Sequence, residues 1–278
     1  MDLCVIVPFR NAGELTAMAL RSLAYLPGTA QVLAIDNGSS ENELYPVKKA
    51  IQLLRASGFD ASIVHDPSPF NFQRMNNRAA EIGSCRSLLF MNNDARLAVQ
   101  SMRLLRRMRT LISEQDIGAV GATLLLADRR RIQHIGVKLD SGGFASHYLA
   151  GESYTHWESL PTSVVSAVTA AFLMVDAEKF QRVGGFDERF IVCGGDVDLC
   201  LRLGEVGYKT IVCRDGWAIH DESATRNPSR IPSSDFVESY HSYLRGFDDN
   251  NGDPFCTADL PYGVPLWMAD RVHQNFSE

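Results

Sequence analysis

Short apolar runs alternate with helical patterns over the first third of the chain, and this alternation limits the folds open to it. Four runs have the length and composition of strands: LCVIVPF (3–9), QVLAID in 31–40, ASIVH (61–65) and SLLFM (87–91). The segments between them have helical patterns, at about 15–26, 43–57 and 72–82. This order predicts βαβ units and a mostly parallel, Rossmann-like sheet. Because several runs are apolar on both faces, we expect helices to cover both sides of the sheet.

The pattern changes after about residue 98. A helix near 99–113 precedes several β-like stretches, of which GAVGATLLL and SVVSAVTAAFLMV are the longest. Further on, the sequence predicts these elements: helices at 177–183, 196–206 and 234–245, and a strand pair at 209–213 and 216–220. No repeat or linker interrupts the chain, so a single α/β domain over 1–278 with an elaborated second half is predicted.

Composition excludes several classes of protein. The chain has 278 residues and a net charge of −6, which argues against general nucleic-acid binding. Its six cysteines form no CxxC pair, a pattern typical of a reducing compartment rather than of a disulfide framework or a zinc site. With neither a signal peptide nor an apolar stretch long enough to cross a bilayer, a cytosolic protein is expected.

Polar clusters follow three of the predicted strands. They are Arg10-Asn11, Asp36-Asn37 and Asn92-Asn93-Asp94. Ligands of open α/β sheets bind at the carboxyl ends of the strands, although such residues also serve as helix N-caps and in turns. The glycine-rich loops that bind NAD or nucleoside triphosphates are absent from the sequence. A carboxylate at this edge would therefore reach a diphosphate through a hard divalent cation.

The order of several motifs resembles the family 2 glycosyltransferases, and more narrowly the rhamnosyltransferase-like branch that builds bacterial surface polysaccharides. The motifs are VPFRN, IDNGSS, FMNNDA, GGFDERF, GGDVDLCLRLGEVGYK and IHDESATR, with FNFQRMNNRAA and DPF in support. The resemblance covers roughly residues 3 to 260. It implies a GT-A fold, a nucleotide-diphosphate sugar donor, a divalent cation (Mn²⁺ or Mg²⁺), a glycan or lipid-linked acceptor, and inversion at the anomeric carbon. It also implies a nucleotide-binding half (about 1–98), a metal and acceptor half (about 99–232) and a C-terminal helical tail (233–278).

The resemblance also implies roles for individual residues. Asn92-Asn93-Asp94 stands where the family has its DxD motif, so Asp94 is the expected metal ligand and His220 a second one. Asp36 matches the acid that holds the uracil or ribose. The expected donor-binding residues are Pro8, Arg10, Asn11, Asp36, Asn37, Arg74, Asn77, Asn92, Asn93 and Arg226. For His220, Arg74, Asn77 and Arg226, purely structural or solvated roles are the alternative.

The motif GGDVDLCLR (194–202) supplies the expected general base. The resemblance assigns this role to Asp196, but Gly195 stands where the family usually has an acid, so Asp198 competes for it. Helix capping is the alternative for both aspartates. One carboxylate suffices for a single displacement.

Two basic clusters leave membrane contact open: Arg103, Arg106, Arg107 and Arg109, and then 129–131. They are either solvated surface or contacts to anionic lipid or a lipid-linked acceptor at the inner face of the cell membrane.

Two other functions compete with glycosyl transfer: a catalytically silent nucleotide-sugar binding module, and a sugar nucleotidyltransferase. The second would need a glycine-rich loop after the first strand, and PFRNAGEL contains one glycine.

Overall fold

A large central sheet flanked by helices organises the computed structural model, which describes residues 2–221, 231–246 and 252–269. The strands are β1 (Leu3–Phe9), β2 (Gln31–Asp36), β3 (Asp60–His65), β4 (Ser87–Met91), β5 (Ala95–Arg96), β6 (Ile117–Leu125), β7 (Ile132–His134), β8 (Val137–Leu139), β9 (Ala145–His147), β10 (Ser163–Val164), β11 (Phe172–Asp176), β12 (Lys209–His220) and β13 (Val264–Pro265). The helices are α1 (Gly13–Ser22), α2 (Glu41–Ala56), α3 (Phe72–Ile82), α4 (Ser101–Ile112), α5 (Tyr154–Trp157), α6 (Ala177–Arg182), α7 (Gly195–Glu205) and α8 (Ser233–Tyr243).

The sheet has the order β13-β10-β12-β6-β11-β4-β1-β2-β3. Strands β4, β1, β2 and β3 pair in parallel, with Phe9 opposite Asp36 and Asp36 opposite His65. Their carboxyl ends therefore share one edge, as the sequence predicts. The second half of the sheet is mixed, since β11 runs antiparallel to both β4 and β6. The predicted fold class is confirmed, and the parallel pairing is concentrated in the first half.

Both faces of the sheet are buried. Alternate residues of β1 point to opposite sides: Val5 and Val7 pack with α1, α2 and α4, whereas Cys4 and Ile6 pack with α3, α6 and α7. Coverage on both sides explains why these strands read as continuous apolar runs rather than as alternating ones.

Strand β12 corrects one prediction about the second half. The expected pair at 209–213 and 216–220 is one continuous strand, with a register shift between Cys213 and Ala218. Gly216 lies within this shift at a φ of 141°, and a Cβ there would sit 2.6 Å from the carbonyl oxygen of Gln100. The irregularity thus takes the place of the predicted break between two strands, and the strand continues to His220.

Helix and strand both occur in the described residues of the predicted C-terminal helical tail. Helix α8 ends at Tyr243, and a short 3-10 turn reaches Gly246. Residues 264–265 return to the sheet as β13, which pairs with β10. No helix in the described part of the chain is long and apolar enough to cross a bilayer.

Candidate active site

A cavity of about 840 Å³ opens at the carboxyl ends of β1 and β4 and extends to the start of α7. Residues from the first half of the chain line it together with residues from the second. The predicted site residues on its wall are Pro8, Arg10, Asn11, Asn92, Asn93, Asp94, Asp196 and His220. The fold thus brings together most of the polar residues singled out from the sequence.

Asp94 and His220 form a buried pair in this wall. Asp94 Oδ1 lies 3.1 Å from His220 Nε2. The backbone fixes both residues, because β5 pairs with β12 (Ala95 opposite His220) and the Asp94 carbonyl accepts the Asp221 N–H at 3.0 Å. A bidentate ion pair between Arg96 and Asp221, at 2.7 and 2.6 Å, lies beside them.

The pair fits a divalent cation that binds together with a ligand. The contact of Asp94 Oδ1 with His220 Nε2 lacks hydrogen-bond geometry, so this buried oxygen has no hydrogen-bond partner among the described residues. The same is true of Asn92 Oδ1. Buried polar atoms without partners are unfavourable, so an additional group is expected at this point. The described residues contain no cluster of three His, Cys, Asp or Glu side chains suited to a metal ion. Mg²⁺ and Mn²⁺ tolerate few protein ligands because they also use water and substrate phosphate oxygens.

Asn93 and Asn37 are engaged within the protein. Asn93 Nδ2 donates to Thr16 Oγ1 at 3.1 Å, which holds the end of β4 against α1. Asn37 Nδ2 donates to the carbonyls of Asp66 and Ser68, both at 2.9 Å. Asn93 also reaches the cavity wall, whereas Asn37 does not line it.

Asp36 is buried at the end of β2 and does not line the cavity. Its Oδ1 accepts the Ser39 N–H at 2.9 Å, and its Oδ2 lies 3.1 Å from His65 Nδ1. These contacts order the loop after β2. Asn11, which has a left-handed φ of 54°, donates its backbone N–H to Ser39 Oγ at 2.7 Å in the same region.

Arg74 and Asn77 lie on α3 outside the cavity wall. Arg74 lies 3.5 Å from the buried Asp66 carboxylate. Asn77 donates to the Phe186 carbonyl at 2.8 Å and accepts its N–H at 2.9 Å, so it fastens α3 to that loop. These bonds give Asn77 a structural role, and its contact with the donor stays a prediction. Arg226 lies outside the described residues.

Asp66 is a buried carboxylate that the sequence did not single out. Its Oδ1 accepts from Arg78 at 3.0 Å and from the Ser68 N–H at 3.2 Å. Burial raises the pKa of Asp66, but the hydrogen bonds from Ser68 and the charges of Arg74 and Arg78 outweigh this and lower the pKa below its ordinary value.

The two aspartates at the start of α7 differ in environment. Asp196 lines the cavity, and its two oxygens accept the N–H groups of Ala170 at 2.9 Å and Val197 at 3.0 Å. Asp198 is buried away from the cavity wall, with its oxygens 2.7 Å from Arg202 and 2.7 Å from Arg245. Of the two candidates, Asp196 lines the cavity and Asp198 does not.

Asp235 is a second residue that sequence patterns did not reveal. Its carboxylate, buried in the first turn of α8, accepts the backbone N–H groups of Ile191, Val192 and Cys193 at 2.9, 2.8 and 3.0 Å. Val192 and Cys193 line the cavity just before Gly194, Gly195 and Asp196. An aspartate in a first helical turn reads as a simple capping residue, so its contact with a distant loop has no sequence signal.

Two histidines lie at another part of the wall. The rings of His134 and His147 meet edge to face with centroids 4.7 Å apart, and His147 lines the cavity. Burial, followed by the charges of His147, His220 and Arg214, lowers the pKa of His134 well below its ordinary value. His134 is therefore a neutral, buried support at ordinary pH.

Solved structures identify the fold. GalNAc-T7, crystallised with UDP, GalNAc and Mn²⁺, has a TM-score of 0.66 and 14% identity over 100% of this chain and 54% of its own. The mannosyltransferase PcManGT of Pyrobaculum calidifontis, in complex with GDP-Man and Mn²⁺, has a TM-score of 0.61 and 14% identity over 99% of this chain and 79% of its own. The chain therefore has the GT-A glycosyltransferase fold, in a form like that of family 2.

Curated sequences add two relatives. The chain is 33% identical over 271 residues to the O-antigen biosynthesis protein RfbC of Myxococcus xanthus. The match covers 92% of this chain and 20% of that protein. It is 30% identical over 235 residues to the uncharacterized protein y4gI of Sinorhizobium fredii. This match covers 82% of the chain and 25% of that protein. The chain thus spans a fifth to a quarter of the length of these relatives. No family model matches it.

Proposed function

We propose that this chain is an inverting, metal-dependent glycosyltransferase domain that moves a sugar from a nucleotide diphosphate to a glycan or lipid-linked acceptor. The observation that carries the proposal is the joint presence, on one cavity wall, of the Asp94–His220 pair and the Asp196 carboxylate. The first suits a cation–diphosphate complex, and the second suits a general base. The GT-A fold supports this assignment.

Asp196 acts as the base in this proposal. Its carboxylate removes the proton from an acceptor hydroxyl while that oxygen forms a bond to the anomeric carbon. The bond from this carbon to the diphosphate oxygen breaks on the opposite face, so the configuration inverts and a nucleoside diphosphate leaves. Asp94 and His220 would hold a divalent cation, which would offset the negative charge on the departing diphosphate. No nucleophilic second carboxylate is required, because the displacement has one step.

The donor lies along the first half of the cavity in this proposal. Pro8, Arg10, Asn11 and Asn92 line it at the ends of β1 and β4, and the exposed Arg10 guanidinium suits phosphate oxygens. Asp36 stays the candidate for the uracil or ribose. We keep the proposed division into a nucleotide-binding half (about 1–98) and a metal and acceptor half (about 99–232), with Asp94 of the first half joining His220 of the second at the metal.

Surface polysaccharide synthesis is the proposed process, in a cytoplasmic location with access to the inner membrane face. The similarity to an O-antigen biosynthesis protein supports it. The basic helix face invoked for membrane contact is partly neutralised, since Arg103 lies 3.2 Å and Arg107 3.9 Å from Asp215. Flotation with anionic and neutral vesicles tests this contact, and binding that ignores both lipid charge and Arg106→Glu would contradict it.

A catalytically silent nucleotide-sugar binding module is the second candidate function. Asn92 in place of an acid favours it, because Asp94 is then the single carboxylate of that motif. The cavity-facing Asp196 favours the enzyme, since a pure binding site has no need of a base near the sugar.

Release of nucleoside diphosphate from UDP-GlcNAc, GDP-mannose or dTDP-rhamnose, with Mn²⁺ and with EDTA, separates the two functions. The enzyme hydrolyses at least one donor slowly in the presence of Mn²⁺, and Asp196→Asn abolishes this hydrolysis while nucleotide binding persists. Nucleotide binding without hydrolysis or transfer of any donor would favour the silent module.

A further inference from the structure

Gln73 is a buried polar side chain that the proposed mechanism leaves without a role. It is the second residue of α3, is 2% exposed and lines the cavity. Its Oε1 has no hydrogen-bond partner among the described residues. The amide groups of Asn76 and Asn77 on the same helix donate to backbone carbonyls of Phe72 and Phe186. Asn76 Oδ1 also lacks a partner among the described residues, but Asn76 does not line the cavity.

Gly195 gives the Gln73 amide its space. A Cβ at Gly195 would lie 2.6 Å from Gln73 Cδ and 2.8 Å from its Nε2. Gly195 is the first residue of α7, and its backbone is not in the left-handed region. A glycine is therefore required at this position by the close contact and not by the backbone conformation. The contact places the amide against the residue that directly precedes Asp196.

A filling role alone does not explain a glutamine here. Methionine would occupy a similar volume without burying an unpartnered polar atom. The part of the amide that is open to the cavity can hydrogen-bond a bound molecule, and a sugar hydroxyl can both donate and accept.

We propose that Gln73 is a specificity-determining residue that hydrogen-bonds a hydroxyl of the transferred sugar. This inference rests on the proposed function. The transferred sugar must lie between the departing diphosphate, near Asp94 and His220, and the base Asp196. Gln73 touches the residue next to that base, whereas the residues assigned to the nucleotide lie at the ends of β1 and β4.

Calorimetric titration with Mn²⁺ present tests this role with Gln73→Met. The probes are UDP and GDP, and the corresponding sugars UDP-GlcNAc and GDP-mannose. Loss of one hydrogen bond predicts roughly tenfold weaker binding of a nucleotide sugar, with unchanged binding of the parent diphosphate. Thermal stability should stay the same or rise. Gln52→Met, at an exposed position of α2, is the matched control and should change neither affinity.

Gly195→Ala provides a second variant that leaves the glutamine in place. Its methyl group must displace the amide, so it should weaken the nucleotide sugar and spare the diphosphate in the same way. The inference is overturned if Gln73→Met binds every probe as the wild type does, or weakens diphosphate and nucleotide sugar equally. If the wild type binds no diphosphate at all, the proposed function itself fails, and the inference falls with it.

Discussion

Removing the Asp235 carboxylate should loosen one wall of the cavity. Three backbone N–H groups, of residues 191 to 193, converge on this side chain at 2.8–3.0 Å, and the side chain itself is fully buried. The segment leads directly into Gly194 and the candidate base Asp196. The carboxylate therefore couples helix α8 to the part of the wall that holds the base.

The size of the effect follows from the number of bonds. A hydrogen bond to a charged group contributes about 1.5–3 kcal/mol to stability. Because the 191–193 segment is half-exposed and water can reach freed N–H groups, the low end applies, so Asp235→Ala should lower the free energy of unfolding by about 4 kcal/mol. Asp235→Asn retains one acceptor oxygen and should cost about half of that. For a chain of this size, 4 kcal/mol corresponds to a fall in Tm of roughly 10 °C.

Urea denaturation and steady-state kinetics together check this prediction. We expect stability in the order wild type, Asp235→Asn, Asp235→Ala, and a loss of transfer rate that exceeds any loss of nucleotide affinity. Glu238→Gln is the control on the same helix, because its partly exposed ion pair with Arg189, at 3.0 Å, should contribute at most about 1 kcal/mol. The reasoning is refuted if Asp235→Ala is no less stable than Glu238→Gln, or if it lowers nucleotide affinity as much as the transfer rate.

Three further predictions concern other carboxylates. Asp196→Asn should keep the hydrogen bond from Ala170 and the affinity for nucleotide, measured by calorimetry, while kcat for transfer falls by roughly 10²–10⁴-fold. A kcat within a factor of three of wild type would rule out Asp196 as the base. Asp198→Ala should destabilise the fold by about 3 kcal/mol in urea titrations, because two arginines lose a buried partner, and unchanged stability would contradict this. Asp66→Asn should be less stable than wild type at pH 7. The folded state lowers the pKa of Asp66, so the charged carboxylate stabilises the fold above the pKa of the unfolded state, and this stabilisation is lost as pH falls through the pKa of the folded state. If the difference in urea midpoint between wild type and Asp66→Asn did not shrink between pH 7 and pH 3, this prediction would be wrong.

Much of the fold could be predicted from local patterns. Strands 3–9 and 87–91 and the helix at 72–82 have the predicted bounds, since apolar runs and helical periodicity are local properties of the sequence. The continuity of β12 could not be predicted, because the close approach of Gln100 to Gly216 is a tertiary contact. The mixed pairing of β11 is a tertiary property as well.

The site residues also divide into those that local sequence predicts and those that depend on tertiary contacts. The strand-end position of Asp94 and Asn92 predicts their place on the cavity wall, because parallel strands bring their carboxyl ends to one edge. The separation of Asp196 from Asp198 depends on the distant Arg245, and the position of Asn77 depends on the 186–188 loop. Gln73 gives no signal either, since a glutamine in a polar helix is ordinary until its burial is known.

Binding of UDP, GDP and dTDP to the wild type and to Asp94→Ala, titrated with Mn²⁺ and with EDTA, tests the central claim most directly. We expect one diphosphate to bind the wild type and EDTA to weaken this binding. The Asp94→Ala variant should bind that diphosphate, with or without Mn²⁺, as weakly as the wild type does in EDTA. Tight binding that ignores both Mn²⁺ and Asp94→Ala, or no binding of any diphosphate at millimolar concentration, would contradict the assignment of this cavity to a metal-bound nucleotide-sugar donor.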